Sequence, residues 1–552
     1  LKNIAGIDII ILLGYFVLVG LIGWWSSRTS MESSKNYFLG GEGIGWMAIG
    51  ASLFASNISA EHFIGLASSG AASGLTVGQF EWIACFILLI LGWFFVPFYL
   101  RTGVFTMPEF LEKRFNKSCR NYLAAISLIA YIFTKVSVAL YAGAIVLKAI
   151  LGWDIYTGAI VLVIATGVYT VFGGLKAVIY TDFMQAFILI AGGIILTFAA
   201  MTKVGGFPVL ASKLEPSYFS VWQGINHPDF PWTGILFGAP ILGVWYWCTD
   251  QMIVQKTLAA KNVYEGQKAT IFAGFLKILP VFILVLPGLC GHVLFPGVKP
   301  DEMYATMVNQ LLPPGIKGLV VAALLAALMS SLSSVFNSSS TLAVMDFYRE
   351  FRPKATEKEL VFTGQVATGI LVVAGLLWLP FIGKMSGQLY VYLQSIQAYV
   401  SPPIACVFLI GLLWKRVNAA GAFSALLGGF VVGAFRFLAE LGVKTGKIAA
   451  ATDVPGAILV SPQLVNFANI NFLHFAIILF VISSVLLVVV SLLTPAPSKE
   501  KLEVFEARKD ESDDMPITRR EATDISVNVG LSVALAMTVL IMWFIFSPFI
   551  FR

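Results

Sequence analysis

The stretch Ala51-Ser-Leu-Phe-Ala-Ser-Asn-Ile-Ser-Ala-Glu-His-Phe-Ile-Gly-Leu-Ala67 decides how the rest of the chain is read. It lies inside a span otherwise apolar enough to cross a bilayer. Within it Ser56, Asn57, Ser59, Glu61 and His62 crowd together. Unpaired polar groups are costly in hydrocarbon, so such a cluster faces protein or water. A helix that unwinds here frees backbone carbonyls, such as those of Ala55 and Ile58. Those are hard oxygen ligands suited to a small hard cation. Asn57, Glu61 and His62 add hydrogen-bonding side chains for a polar solute. The competing reading is a helix–helix contact glued by small polar residues. It covers Ser56 and Ser59 but not an adjacent Glu-His pair at bilayer depth, which marks a substrate or ion site.

Composition agrees with a membrane setting. The 552 residues are 58% hydrophobic and 12% charged, with a mean hydropathy of +0.85. So many apolar runs of near-span length define an all-α polytopic membrane protein. An aromatic share of 13% suits Trp and Tyr at the interfaces. The net charge of +6 is spread over short loops, so nucleic acid is not expected as a partner. Cys85, Cys119, Cys248, Cys290 and Cys406 form no CxxC or metal spacing and imply no structural disulfide. The first span begins almost at residue 1 and is too long for a signal-peptide core, so it is expected to be retained.

At roughly 20 apolar residues per span, about fourteen helices are expected. They run near 4–25, 45–73, 77–99, 121–151, 156–172, 175–201, 233–255, 269–294, 315–348, 359–381, 389–414, 419–441, 472–493 and 527–549. A longer polar connection covers 202–232. With the N-terminus outside, every second loop is cytoplasmic, and those loops hold the cations. Among them are Arg28 and Lys35; Arg101, Lys113, Arg114, Lys117 and Arg120; Lys256, Lys261 and Lys268; Arg349, Arg352, Lys354 and Lys358; and Lys415 with Arg416. The last holds Lys499, Lys501, Arg508, Lys509, Arg519 and Arg520. The opposite loops carry only scattered Lys203, Lys213, Lys299 and Lys447. This asymmetry is the positive-inside rule, and it places both termini outside.

A second interrupted span is expected in Gly234-Ile-Leu-Phe-Gly-Ala-Pro-Ile-Leu-Gly-Val-Trp-Tyr-Trp-Cys-Thr-Asp-Gln251, where Gly238, Pro240 and Gly243 weaken the helix. Two broken helices at matching places in two five-helix halves suggest an inverted repeat with its site between them. Tyr399-Val-Ser-Pro-Pro403 is expected to kink the eleventh span. The divisions are 1–43, an extra helix and loop; 44–202, the first five helices; 203–416, the second five; and 417–552, further helices with a cytoplasmic linker near 495–525.

Gly318 to Ser340 is rich in small hydroxyl residues. Ala327, Ser330 and Ser331 stand at i, i+3 and i+4 on one helix face. One carbonyl and two hydroxyls there, with the carbonyls of Ala55 and Ile58, give about five oxygens. That shell suits a monovalent cation that must also leave; close small-residue packing is the alternative. Ser333 and Ser334 extend the hydroxyl ladder toward a second ion, and Asp182 could guide a cation outward. Glu81, Lys277 and Gln394 are polar groups inside other spans. With Asn57, His62 and Tyr246 they supply mixed donors, acceptors and ring faces, a pattern suited to a sugar. Asp250 and Lys135 are further intramembrane charges to which sequence assigns no role. No Walker A, GxSxG or HExxH pattern is present, so an ATP-driven pump or an enzyme is not expected.

These motifs resemble the sodium/solute symporter family, in particular its sodium/glucose cotransporter branch. The resemblance rests on Ala51–Gly65, Gly74–Trp82, Tyr169–Asp182, Trp245–Gln255, Ser330–Tyr348 and Leu389–Pro403, and extends over nearly the whole chain. It implies a LeuT-like five-plus-five inverted repeat with added helices at both ends, in the cell membrane. It implies sodium at Ala55, Ile58, Ala327, Ser330 and Ser331, and sugar contacts at Asn57, His62, Glu81, Tyr246, Trp247, Lys277 and Gln394. Tyr246 would be the inner gate; Leu66, Phe80 and Tyr390 the outer one. Asp182 matches an acid implicated in sodium movement. Gly243, Val391 and Gln397 depart from the branch's usual polar residues. His62 agrees with animal glucose carriers, whereas a bacterial galactose carrier has Gln. The expected function is sodium-coupled import of a hexose of glucose or galactose type by alternating access. Inositol or another small polar solute, or a sugar sensor or sodium leak of the same fold, are the alternatives.

Overall fold

The computed structural model describes residues 5–30, 34–40, 43–385, 389–449, 458–506 and 519–550. Of the expected loop cations, Arg508 and Lys509 lie outside these residues, as does part of the linker near 495–525. The described chain is helical apart from its loops and two short parallel strands, Ile448–Ala449 and Ile458–Leu459. Eleven helices among the described residues are long and apolar enough to cross a membrane, and Ile155–Gly167 and Gly234–Thr249 are shorter apolar ones. The expectation of about fourteen spans exceeds that count. The span expected at 45–73 is two helices, Trp46–Asn57 and Ala60–Ser73, and the second joins the following span within Glu61–Thr102.

Burial sorts the helices into a centre and a rim. Of the most apolar window in Ile316–Phe351, 94% is buried, against 22% in Gly6–Trp25 and 17% in Glu521–Ile545. The hydroxyl-rich helix is therefore the axis of the bundle, and its serines face protein on every side. The rim helices expose Ile10, Val17, Val485, Val533 and Phe544, the side chains of a lipid-facing surface.

The fifth and sixth spans form one run, Ile155–Val204, that bends at Gly174. Gly174 takes φ 59° and ψ −162°, and a Cβ there would lie 2.6 Å from the Tyr37 carbonyl oxygen. Only glycine fits such a corner. The helix Leu389–Leu413, expected to kink at Tyr399–Pro403, continues as one helix with Pro402 and Pro403 inside it.

Candidate functional site

The first interruption falls where the polar cluster lies. Trp46–Asn57 ends with Ile58 at ψ 98°, and Ser59, at ψ −172°, caps Ala60–Ser73. The two amides that would continue the ladder are diverted. Ser59 N–H donates to His62 Nδ1 at 3.5 Å, and His62 N–H to the Ser59 carbonyl at 3.0 Å. Ala55 and Ile58 thus stand where a helix's last carbonyls lack their usual donors. Because Nδ1 accepts, His62 turns Nε2 outward, 3.7 Å from Glu81 Oε1.

The second interruption differs from expectation. Gly234–Thr249 stays helical through wide π turns at Gly234–Gly238 and Val244–Thr249. The chain breaks only at Asp250, whose ψ is 126°, before Gln251–Leu258. Gly238 serves close packing: a Cβ there would lie 2.4 Å from the Leu473 carbonyl oxygen. Asp250 Oδ1 receives the Tyr131 hydroxyl at 2.5 Å and the Met252 amide at 3.0 Å. A capping acid, not the glycines, therefore sets the break.

Between the interruptions lies a small cavity of about 60 Å³. All seven residues expected to contact a sugar line it: Asn57, His62, Glu81, Tyr246, Trp247, Lys277 and Gln394. Each is at most 9% exposed. Lys277 is brought to mid-span by the end of Val263–Leu276 and donates to Glu81 Oε2 and, at 2.5 Å, to Asn57 Oδ1. Asn57 also bonds the Tyr246 hydroxyl. Lys277 Nζ lies 5.6 Å from the Trp247 ring, and Tyr246 meets Trp247 edge-on at 5.1 Å. The carboxylate, ammonium, amides and ring faces converge on one volume.

Of the three residues expected at the outer gate, Phe80 and Tyr390 line the cavity and pack edge-to-face at 5.8 Å. Tyr390 also meets His62 at 6.0 Å, and Phe80 meets Phe230 at 6.0 Å. Leu66 is buried but is not in the cavity wall. Sequence reasoning left Lys135 and Gln397 without roles, and named Glu61 as a hydrogen-bonding side chain for a polar solute but not among the seven sugar contacts; all three line the cavity. Lys135 Nζ sits 3.8 Å from the Tyr246 ring centroid. The signal for Glu61 and Lys135 was available, since each is an ionisable residue inside a span.

The expected sodium residues lie at the first interruption and on Ile316–Leu342, a helix that adds nothing to the cavity wall. Ser331 Oγ donates to the Ser56 carbonyl at 3.0 Å, which ties the hydroxyl helix to the first interruption. Ser330 instead gives its hydroxyl to Asp182 Oδ1 at 2.6 Å, and Ser333 turns back onto the Ser330 carbonyl at 2.9 Å. Ala55, Ile58 and Ala327 are fully buried. Asp182, also fully buried, accepts further hydroxyls from Ser52 at 2.6 Å and Ser56 at 2.8 Å.

The remaining partner of Asp182 corrects the sequence reading. Lys256, counted there as a cytoplasmic loop cation, is fully buried in Gln251–Leu258. Its ammonium lies 2.8 Å from Asp182 Oδ2, 3.0 Å from Ser334 Oγ and 3.2 Å from the Ser52 carbonyl, and it also bonds Ser56. One lysine thus fills a nest of oxygens contributed by three other elements. A buried carboxylate is tolerable only when paired and hydrogen-bonded in this way.

The bundle, the two interrupted helices and the cavity between them define a membrane transporter of LeuT type. A profile of the sodium:solute symporter family matches residues 37–429. The chain is 40% identical over 584 residues to sodium/glucose cotransporter 1 of Oryctolagus cuniculus, covering 96% of this chain and 86% of that protein. It is 41% identical to the sodium/myo-inositol cotransporter of Canis lupus familiaris, covering 90% and 74%. A solved Na+-coupled sialic acid symporter, in a substrate-bound outward-open state, superimposes with a TM-score of 0.73 at 22% identity, over 89% of this chain and 99% of that one. That likeness shows the fold. This chain belongs to the sodium:solute symporter family, a family of transporters.

Proposed function

We propose that this protein imports a hexose of glucose or galactose type, driven by sodium moving inward, by alternating access. The observation that carries the reading is the convergence of Asn57, His62, Glu81, Tyr246, Trp247, Lys277 and Gln394 on one buried cavity. Sugar hydroxyls would take Glu81, Lys277 and the two amides, and a ring face would stack on Tyr246. Sodium would bind the carbonyls of Ala55, Ile58 and Ala327 with the hydroxyls of Ser330 and Ser331. Ser330 would then have to turn away from Asp182. Asp182, with Ser333 and Ser334, would offer a second ion position or an exit path. Tyr246 would close the inner side, and Phe80, Tyr390 and Leu66 the outer.

The reading includes both termini outside and the divisions 1–43, 44–202, 203–416 and 417–552. Inositol is the second candidate, favoured by the likeness to the canine sodium/myo-inositol cotransporter. Uptake into proteoliposomes, with radiolabelled glucose, galactose and myo-inositol, decides between them. Saturable hexose accumulation only with an inward sodium gradient is expected. Preferential myo-inositol accumulation selects the second candidate. Sugar-induced sodium current without accumulation of any of them makes the protein a sensor or leak and ends the symport reading.

A further inference from the structure

Two buried acids stand on the cavity wall, and one of them keeps an oxygen without a hydrogen-bond partner. Glu81 receives Lys277 and faces His62. Glu61, in the first turn of Ala60–Ser73, is 4% exposed and lines the same cavity. Its Oε2 has no hydrogen-bond partner. A buried acceptor left in that condition is costly, and a charged one more so. The bland explanation makes Glu61 the counter-ion of Lys135. Lys135 lies near both Glu61 and Asp250, and its ammonium rests on the Tyr246 ring, 3.8 Å from the centroid. One cation therefore faces two carboxylates and cannot balance both. The surplus acceptor is the one that borders the cavity.

We infer that Glu61 is a further specificity-determining contact, taking a substrate hydroxyl that Glu81 does not reach. The inference rests on the polyol-transport reading above and names the residue that selects among polyols. A hydroxyl donating to a carboxylate makes a charge-assisted bond, stronger than one between neutral groups. A site built around such a bond rejects the analogue lacking that hydroxyl, because its acceptor is then left buried and unpaired.

The test compares wild type with Glu61→Gln and Glu61→Asp in proteoliposomes at saturating sodium, on glucose and its 2-, 3-, 4- and 6-deoxy forms. For glucose, KM of Glu61→Gln rises about ten- to a hundredfold, the worth of one hydrogen bond to a charged group. For a single deoxy sugar, the one without the contacted hydroxyl, variant and wild type have the same KM. A rise shared equally by all five sugars makes Glu61 a counter-ion only and overturns the inference, as does an unchanged KM for glucose. A measurement on the wild type needs no variant. Dicyclohexylcarbodiimide should modify the Glu61 carboxyl, and saturating glucose should protect it; modification that glucose leaves unaltered overturns the inference as well. A wild type that carries none of these sugars under a sodium gradient defeats the sugar reading itself, a separate outcome.

Discussion

Replacing Lys256 with glutamine removes one side of an ion pair at the crossing of four helices. At 2.8 Å and an effective dielectric near 20, the attraction between Lys256 and Asp182 is about 6 kcal/mol. Both groups are fully buried, so solvent does not screen it. The hydroxyls of Ser52, Ser56 and Ser330 stay on Asp182 and offset part of the loss. The expected destabilisation is therefore at the lower end of the roughly 3–5 kcal/mol for breaking a buried pair. Asp182→Asn should cost a similar amount, since it strands Lys256 among only three oxygens. The double variant removes both charges and should lie within about 1–2 kcal/mol of wild type. Unfolding of purified protein in detergent, followed by tryptophan fluorescence, completes the cycle. A coupling of at least about 2 kcal/mol is expected, far above the roughly 0.5 kcal/mol scatter of independent sites. Additive losses would refute the pairing.

Three further outcomes are expected. Ser331→Ala should leave the fold intact and raise the sodium concentration for half-maximal uptake about two- to tenfold, the value of one hydroxyl contact; an unchanged sodium activation curve removes Ser331 from the sodium shell. Tyr246→Ala should lose sugar affinity and the tightening of sugar by sodium, whereas Tyr246→Phe keeps much of the stacking; equilibrium binding in which alanine behaves as wild type makes the ring mere packing. Asp301, on the loop between Leu294 and Met303, accepts the Ser68 hydroxyl at 2.7 Å and the amide of Leu389, and so clasps the helices that carry Leu66 and Tyr390. Burial holds its carboxyl above the usual range near 3.9. A raised value means the clasped form binds more protons than the open one. The clasp is therefore fully favoured below about pH 4 and weakens as pH rises through the raised value. Acidification within that window should slow uptake, and Asp301→Asn should abolish this limb of the pH profile; the same limb in the variant assigns it elsewhere.

Much of this arrangement was legible because membranes penalise stray polarity. The break at Ile58–Ser59 announced itself through Asn57, Glu61 and His62 in an apolar span, and the seven expected sugar contacts do share a cavity. The second break was misplaced because glycine and proline have two uses. Gly238 ends a wide helical turn packed against Leu473, Pro240 sits in the ordinary helical turn that follows, and Asp250 does the breaking. Lys256 was hidden for a different reason. Close to Lys261 and Lys268 it looks like one of several loop cations, and only tertiary structure carries it to Asp182, 74 positions away. The directions of serine hydroxyls were not legible at all, since helical spacing fixes a face but not a rotamer. Ser330 and Ser331 adjoin on one helix yet bond different neighbours.

The nest around Lys256 also settles which parts must travel together. Trp46–Asn57 and Gln251–Leu258 belong to different interrupted helices, but Lys256 joins them through Ser52 and Ser56 and anchors both to Asp182. While those contacts last, the two half-helices form a single rigid lever. Bending is then concentrated at Ile58–Ser59 and Asp250, the non-helical points where backbone angles change with least loss of hydrogen bonding. Were either half to swing, its counterpart would be drawn along unless the lysine let go.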